Sequence, residues 1–173
     1  DIKELTRAEL VQWFEARDIR SFRAGQIFKW IYLRQAETFD EMTDLSKDVR
    51  KLLKDHFTIP RLTLQRSQFS VDGTEKLLFR LTDGNHIEAV LIPQKDHYTL
   101  CISSQVGCKQ ACRFCLTAKC GFQRNLTSAE IVSQVRDARM HLDLRAARPS
   151  NNTGNDSEVE GEENTATKAI ACS

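Results

Sequence analysis

The sequence predicts an α/β protein, and three observations lead to that fold class. Apolar residues recur at helical spacing through roughly the first sixty positions. Two Asp-Gly pairs then divide runs of strand-forming residues. A strand-like run, a cysteine-rich loop and a capped helix follow in that order, which is the order of a βα unit.

Residues 1–60 read as short helices. Thr6-Arg7-Ala8-Glu9 is a capping box, because a Thr at the N-cap and a Glu three residues on satisfy each other's backbone amides. Leu10, Trp13 and Phe14 follow on one face. Ile27, Trp30 and Ile31 form a second stripe, and Val49, Leu52, Leu53 and Phe57 a third, opened by Ser46 as N-cap. Pro60 ends the region. At these spacings Trp13 and Trp30 are expected in the core and not as base-stacking residues.

Residues 61–97 change character and predict a β-meander. Asp72-Gly73 and Asp83-Gly84 are hairpin signals between strands at about 62–70, 75–82 and 86–92. In the last strand Glu88 is the one charged residue, and period-two alternation puts it on the face of Val90 and Ile92. A carboxylate on an apolar face is costly unless paired or protonated, so an enclosed Glu88 with a raised pKa is expected. Two readings stay open: a structural Glu with a partner, or a tuned base.

Residues 98–145 open with a strand at 98–103 and continue into the cysteine loop. Thr127-Ser128-Ala129-Glu130 then caps a helix that places Ile131, Val135, Ala138 and Leu142 on one face. Residues 146–173 are an acidic tail or insertion, too poor in apolar side chains to order themselves. A lone strand–helix unit leaves open sheet edges, so a longer parent protein is expected. The missing initiator Met points the same way.

The net charge of +1 says nothing about a nucleic-acid partner, but its distribution does. Residues 105–145 carry seven Lys and Arg against three Asp and Glu. That suits a phosphate-bearing substrate, and equally a solvated helix face. No run of eighteen apolar residues exists and no signal core opens the chain, so no membrane association is expected and the protein is read as cytoplasmic. In a reducing compartment clustered cysteines bind metal or do chemistry.

The cluster reads Cys108-Lys-Gln-Ala-Cys112-Arg-Phe-Cys115. Three thiolates from one loop hold three irons of a [4Fe-4S] cube and leave the fourth open to a substrate. A zinc site would need a fourth ligand from Cys101, Cys120 or a distant His. His56, His86, His97 and His141 show no metal spacing and are expected at the surface. Cluster, zinc and no site are the three readings of the spacing alone.

A longer string carries a resemblance: Ser103-Ser104-Gln105-Val106-Gly107-Cys108, then Gly121-Phe122-Gln123-Arg124-Asn125-Leu126-Thr127. It resembles the radical-SAM family that methylates adenine C2 of 23S rRNA and, in many bacteria, of certain tRNAs. Arg23-Ala24-Gly25-Gln26-Ile27-Phe28-Lys29-Trp30-Ile31-Tyr32 is similar to that family's accessory-domain pattern. The resemblance runs over about residues 5–142, and a sister family acting at adenine C8 shares much of it.

The resemblance implies a truncated radical-SAM (β/α) barrel beginning after the meander, with a [4Fe-4S] cluster and S-adenosyl-L-methionine as cofactors. It implies Cys108, Cys112 and Cys115 as cluster ligands and Phe114 as the aromatic beside the cofactor's adenine. Glu88 would be the proton acceptor, and Cys101 the thiol that helps resolve the protein–RNA intermediate. One cofactor molecule would methylate a cysteine near the family's C-terminus. A second would start the radical that carries that methyl carbon to adenine. 23S rRNA and tRNA as substrates, an electron donor such as flavodoxin and a monomeric enzyme are implied too. The sequence departs from the pattern at Leu116-Thr117-Ala118-Lys119 and at Cys120, and lacks the Gly-Glu-Pro motif. The surroundings of Cys172 do not match the methyl-carrying cysteine, so this chain by itself is expected to be incomplete for catalysis.

Overall fold

The computed structural model describes residues 1–110 and 121–147. The chain divides into two units, Asp1–Arg61 with Thr127–Arg136, and Leu62–Leu126 with the residues from Asp137 onward.

The first unit is helical. Helix α1 (Arg7–Glu15) starts at the capping box: the Thr6 hydroxyl accepts from the Glu9 amide at 3.2 Å and the Glu9 carboxylate from the Thr6 amide at 2.7 Å. Helix α2 (Phe22–Phe28) runs into a π-helical turn over Lys29–Leu33, whose wider spacing lets Arg34 N–H reach the Lys29 carbonyl. Helix α3 (Lys47–His56) has Ser46 as its N-cap, accepting from the Val49 amide. Leu10, Phe14, Ile27, Ile31, Met42 and Leu53 are fully buried and form one core. Each such side chain contributes about 1.5–3 kcal/mol on leaving water.

Trp13 and Trp30 line that core and remain half-exposed. Trp13 meets Phe57 edge-on with centroids 4.9 Å apart, and Trp30 donates its indole N–H to Asp44 at 2.6 Å. The N-terminus is tied down as well. Buried Lys3 donates to the Pro60 carbonyl at 2.7 Å and pairs with Asp1 at 3.0 Å.

In the second unit four antiparallel strands lie in sequence order: β1 (Thr63–Phe69), β2 (Glu75–Arg80), β3 (His86–Pro93) and β4 (Tyr98–Cys101). Both Asp-Gly pairs sit at hairpin turns, where each Asp carboxylate accepts from the amide two residues on. Leu77 and Phe79 of β2 and Ile87, Ala89 and Leu91 of β3 bury one face. The strand expected at 98–103 forms over Tyr98–Cys101, turns back through Gln94–His97 and pairs antiparallel with β3 as the fourth strand of the sheet. A run this short carries no sign of which neighbour it pairs with.

A two-residue ladder, β5 (Gln105–Val106) with β6 (Arg124–Asn125), follows. Helix α4 (Ser128–Ala147) opens at a second capping box, Thr127 with Glu130. Its buried side differs from the predicted stripe. Val135 is 50% exposed, while Gln134, Arg136 and Asp137 are buried with Ala129 and Ala138. Polar side chains win these positions because they have backbone partners. Arg136 donates to the carbonyls of Ala36 and Gln35, within the first unit. Asp137 accepts from the Leu62 amide at 2.8 Å, within the second.

In the second unit Glu75 is also fully buried and accepts from the Ser67 hydroxyl, from His141 at 2.7 Å and from Arg145. The described residues thus form a mixed α and β structure. No helix among them is long and apolar enough to cross a membrane.

Candidate active site

The outer face of the meander carries the candidate groups. Glu88 points to the same side as Val90, and Val90 is the cross-strand partner of Cys101. Carboxylate and thiol therefore share one face, on a diagonal of the ladder about 7–8 Å across at the backbone. Cys101 is exposed and free. Ser103, just beyond β4, donates its hydroxyl to the Glu88 carbonyl at 2.7 Å and holds that segment against β3.

Glu88 does not have the apolar enclosure expected of it. Its side chain is 38% exposed and pairs with Lys76 Nζ at 3.2 Å. The reason lies in the sheet: Ile87, Ala89 and Leu91 take the core face, which leaves the alternate residues half-buried. Lys76 could have been found from the hairpin register, since it lies opposite Val90, next to Leu78 opposite Glu88.

A cavity of about 60 Å³ lies beside Glu88, bordered by Leu78, His86, Ser103, Gln105 and Gly107. Gly107 is followed by Cys108, the first cysteine of the motif, which is half-buried and free. His86 was expected as a surface residue. Instead it borders this cavity and is half-buried, and its Nδ1 is buried without a hydrogen-bond partner among the described residues. It stands two positions before Glu88, so the strand alternation alone places both on one face.

The neck of the cysteine loop is closed by β5 and β6. Gln123 N–H donates to the Val106 carbonyl at 3.0 Å and Leu126 N–H to the Ser104 carbonyl at 2.9 Å. Gly107 has φ +72°, and a Cβ there would meet the Gly121 carbonyl oxygen at 1.7 Å. Only glycine fits where the two arms of the loop cross. Arg124 reaches Asp83 in the β2–β3 turn with two nitrogens. Partial burial pushes the Asp83 carboxyl up, but Arg124 and Asn85 outweigh it and hold the group below the ordinary carboxylate value. Cys112, Phe114 and Cys115, and Cys120 with them, lie outside the described residues.

Residues 1–59 match the family model described as the ribosomal RNA large subunit methyltransferase N-terminal domain. The chain is 56% identical over 138 residues to the dual-specificity RNA methyltransferase RlmN of Desulfosudis oleivorans, covering 80% of this chain and 37% of that protein. The chain is an RlmN-family N-terminal portion.

Other RlmN proteins match similarly. That of Geobacter sulfurreducens is 52% identical over 145 residues, covering 84% of this chain and 40% of the relative. The chain thus spans about two fifths of the length of these curated relatives. Among solved structures, a radical SAM methyltransferase from Sphaerobacter thermophilus superposes with a TM-score of 0.74 at 41% identity. That match covers 84% of this chain and 43% of the other. The RlmN-family similarity therefore extends past the helical unit into the meander and the strand–loop–helix that follows.

Proposed function

We propose that this chain is the N-terminal part of a radical-SAM enzyme that methylates C2 of an adenine in 23S rRNA, and in tRNA as well. The observation that carries the reading is the Glu88 cavity. The carboxylate of a strand and the Gly107 neck leading to Cys108 border that cavity, and a free thiol, Cys101, lies on the same face of the sheet as the carboxylate, in a protein of this family.

A [4Fe-4S] cluster suits the donors. Cys108 is a free thiol at the neck formed by β5 and β6, and Cys112 and Cys115 follow four and seven positions later in the sequence, which supplies three thiolates from one short segment. Bound there with S-adenosyl-L-methionine, the cluster supplies the radical chemistry that C2 requires, because that carbon is not nucleophilic and resists polar methyl transfer. By the resemblance, Phe114 would be the aromatic beside the cofactor's adenine. Glu88 takes the proton from the ring carbon once it has been alkylated, with Lys76 orienting the carboxylate. Cys101 would attack the sulfur of the methyl-carrying cysteine, so that a disulfide forms as the sulfur–carbon bond to the base breaks and the released carbon takes a proton to become the methyl group. The enzyme works as a cytoplasmic monomer and draws its electrons from a small donor such as flavodoxin.

The test is a chimera in which residues 1–145 replace the matching portion of the Geobacter sulfurreducens relative, expressed in cells lacking their own enzyme. Mass spectrometry of 23S rRNA is expected to show 2-methyladenine, lost when Glu88→Gln or Cys108→Ala is introduced. Absence of any methylated adenine from a folded, iron-loaded chimera would overturn the reading. An 8-methyladenine product would transfer it to the C8-specific sister activity.

A further inference from the structure

We propose that Asp83, acting through Arg124, is a positioning residue that fixes the neck of the cysteine loop to the hairpin carrying Glu88. The inference rests on the proposed cluster role of that loop and adds to it the element that sets ligand and carboxylate relative to each other.

The neck needs such an element. Its ladder is only two residues long on each side, and a ladder that short is marginal by itself. Side chains add what the backbone lacks. Arg124 Nε and Nη2 both reach Asp83 Oδ2, at 2.9 and 2.5 Å, and Arg124 Nη1 reaches the Asn125 carbonyl at 3.2 Å. The carboxylate is itself held by its own turn, accepting from the Asn85 backbone amide and from the Asn85 side chain, both at 3.0 Å. A carboxylate fixed on one side by its own turn gives the guanidinium a rigid partner, so little side-chain entropy is lost in the pairing.

Two further contacts carry the restraint toward the first ligand. Gln105 Nε2 donates to Asn125 Oδ1 at 3.0 Å, and its Oε1 accepts from the Lys109 amide at 3.4 Å, beside Cys108. Arg124 lies opposite Val106, the residue before Gly107 and Cys108. At the other end, Asp83 lies in the turn that begins β3, five positions before Glu88. One ion pair therefore ties the strand bearing the carboxylate to the neck bearing Cys108. Partial burial raises the Asp83 pKa, but the same Arg124 and Asn85 contacts outweigh it and lower it below the ordinary carboxylate value, in agreement with this pairing.

The experiment uses the whole chain, with Asp83→Asn, Arg124→Lys and the charge-swapped pair D83R/R124D. Asn at 83 keeps the turn while removing the charge, and Lys at 124 keeps the charge while removing the fork. In the metal-free chain, hydrogen exchange at the Gln123 and Leu126 amides is expected to quicken about five-fold in either single variant. The Leu78 and Ala89 amides of the central ladder should keep their rates, and the swapped pair should recover part of the protection. After anaerobic loading with iron and sulfide, both single variants should release iron to a chelator several-fold faster, with an altered electron-resonance line shape in the reduced state.

Unchanged exchange at Gln123 and Leu126, or equal quickening throughout the sheet, would overturn the proposal. So would quickened exchange with wild-type iron release, which would leave a structural tie only. A wild-type chain that takes up no iron or sulfide would sink the cluster reading instead, and the exchange rates would still decide whether the pair holds the neck.

Discussion

Cys101 lies across the ladder from Val90, two positions along β3 from Glu88, so the thiol and the carboxylate stand on one face of a continuous antiparallel sheet. A sheet is a stiff platform, and two functional groups on neighbouring strands keep their separation better than two groups on loops. Ser103, donating to the Glu88 carbonyl, continues the tie past the end of β4 toward the cysteine loop.

Because Glu88 is 38% exposed and its pair with Lys76 is open to water, Glu88→Gln should shift unfolding stability by less than about 0.5 kcal/mol. In the chimera, turnover should fall by about 100-fold or more, the usual effect of removing a general base. Urea unfolding and rRNA mass spectrometry check the two halves. A variant that unfolds easily would make Glu88 structural.

Gly107→Ala should disrupt the loop neck. The new methyl group would overlap the Gly121 carbonyl, and the left-handed backbone itself costs an L-residue about 1–2 kcal/mol. Limited proteolysis is expected to cut the 105–126 region faster, while the exchange rates of β2 and β3 stay as in the wild type.

Glu75 supports the second unit from inside. Glu75→Ala leaves Arg145 and His141 without their buried partner and should cost about 3 kcal/mol, discounted for the 40% exposure of the Arg145 side chain. Glu75→Gln should cost less, since it still accepts a hydrogen bond. A loss under about 1 kcal/mol for the Ala variant would show that the cluster contributes little.

Stability should depend on pH at both extremes. Asp83 binds its proton less readily folded than unfolded, so its contribution is complete above its ordinary value of 3.8 and is lost as pH falls through the lowered one. Tyr32 behaves oppositely. Burial raises its phenol above 10.0 against the pull of Arg136, so stability is complete below pH 10.0 and falls as the pH rises through the raised value. Urea midpoints at pH 3, 5, 9 and 11 are expected to fall at the two ends. Asp83→Asn should flatten the acid limb and Tyr32→Phe the alkaline one.

What was legible in the sequence was local. The boxes at Thr6–Glu9 and Thr127–Glu130 involve residues three apart, and both form. The Asp72-Gly73 and Asp83-Gly84 turns depend on four residues each, and both sit where expected. Alternation likewise gave the face of Glu88. It could not give the openness of that face, because exposure depends on which side of the sheet the rest of the chain covers.

Long-range pairing was not legible. Apolar periodicity favoured Val135, yet the buried positions went to Arg136 and Asp137, whose partners at Ala36 and Leu62 are 100 and 75 residues away. Glu75, at the start of the strand predicted at about 75–82, is buried with Ser67, His141 and Arg145 as its partners, which no local pattern announces. His86 and Lys76 gained their place beside Glu88 from strand register, which the Asp83-Gly84 turn could have supplied.

The most direct measurement is anaerobic reconstitution of this chain with iron and sulfide, followed by metal analysis and a visible spectrum, beside Cys108→Ala. The account predicts about four irons per chain with a broad charge-transfer absorption that the variant loses. About one zinc per chain and no such absorption would contradict it.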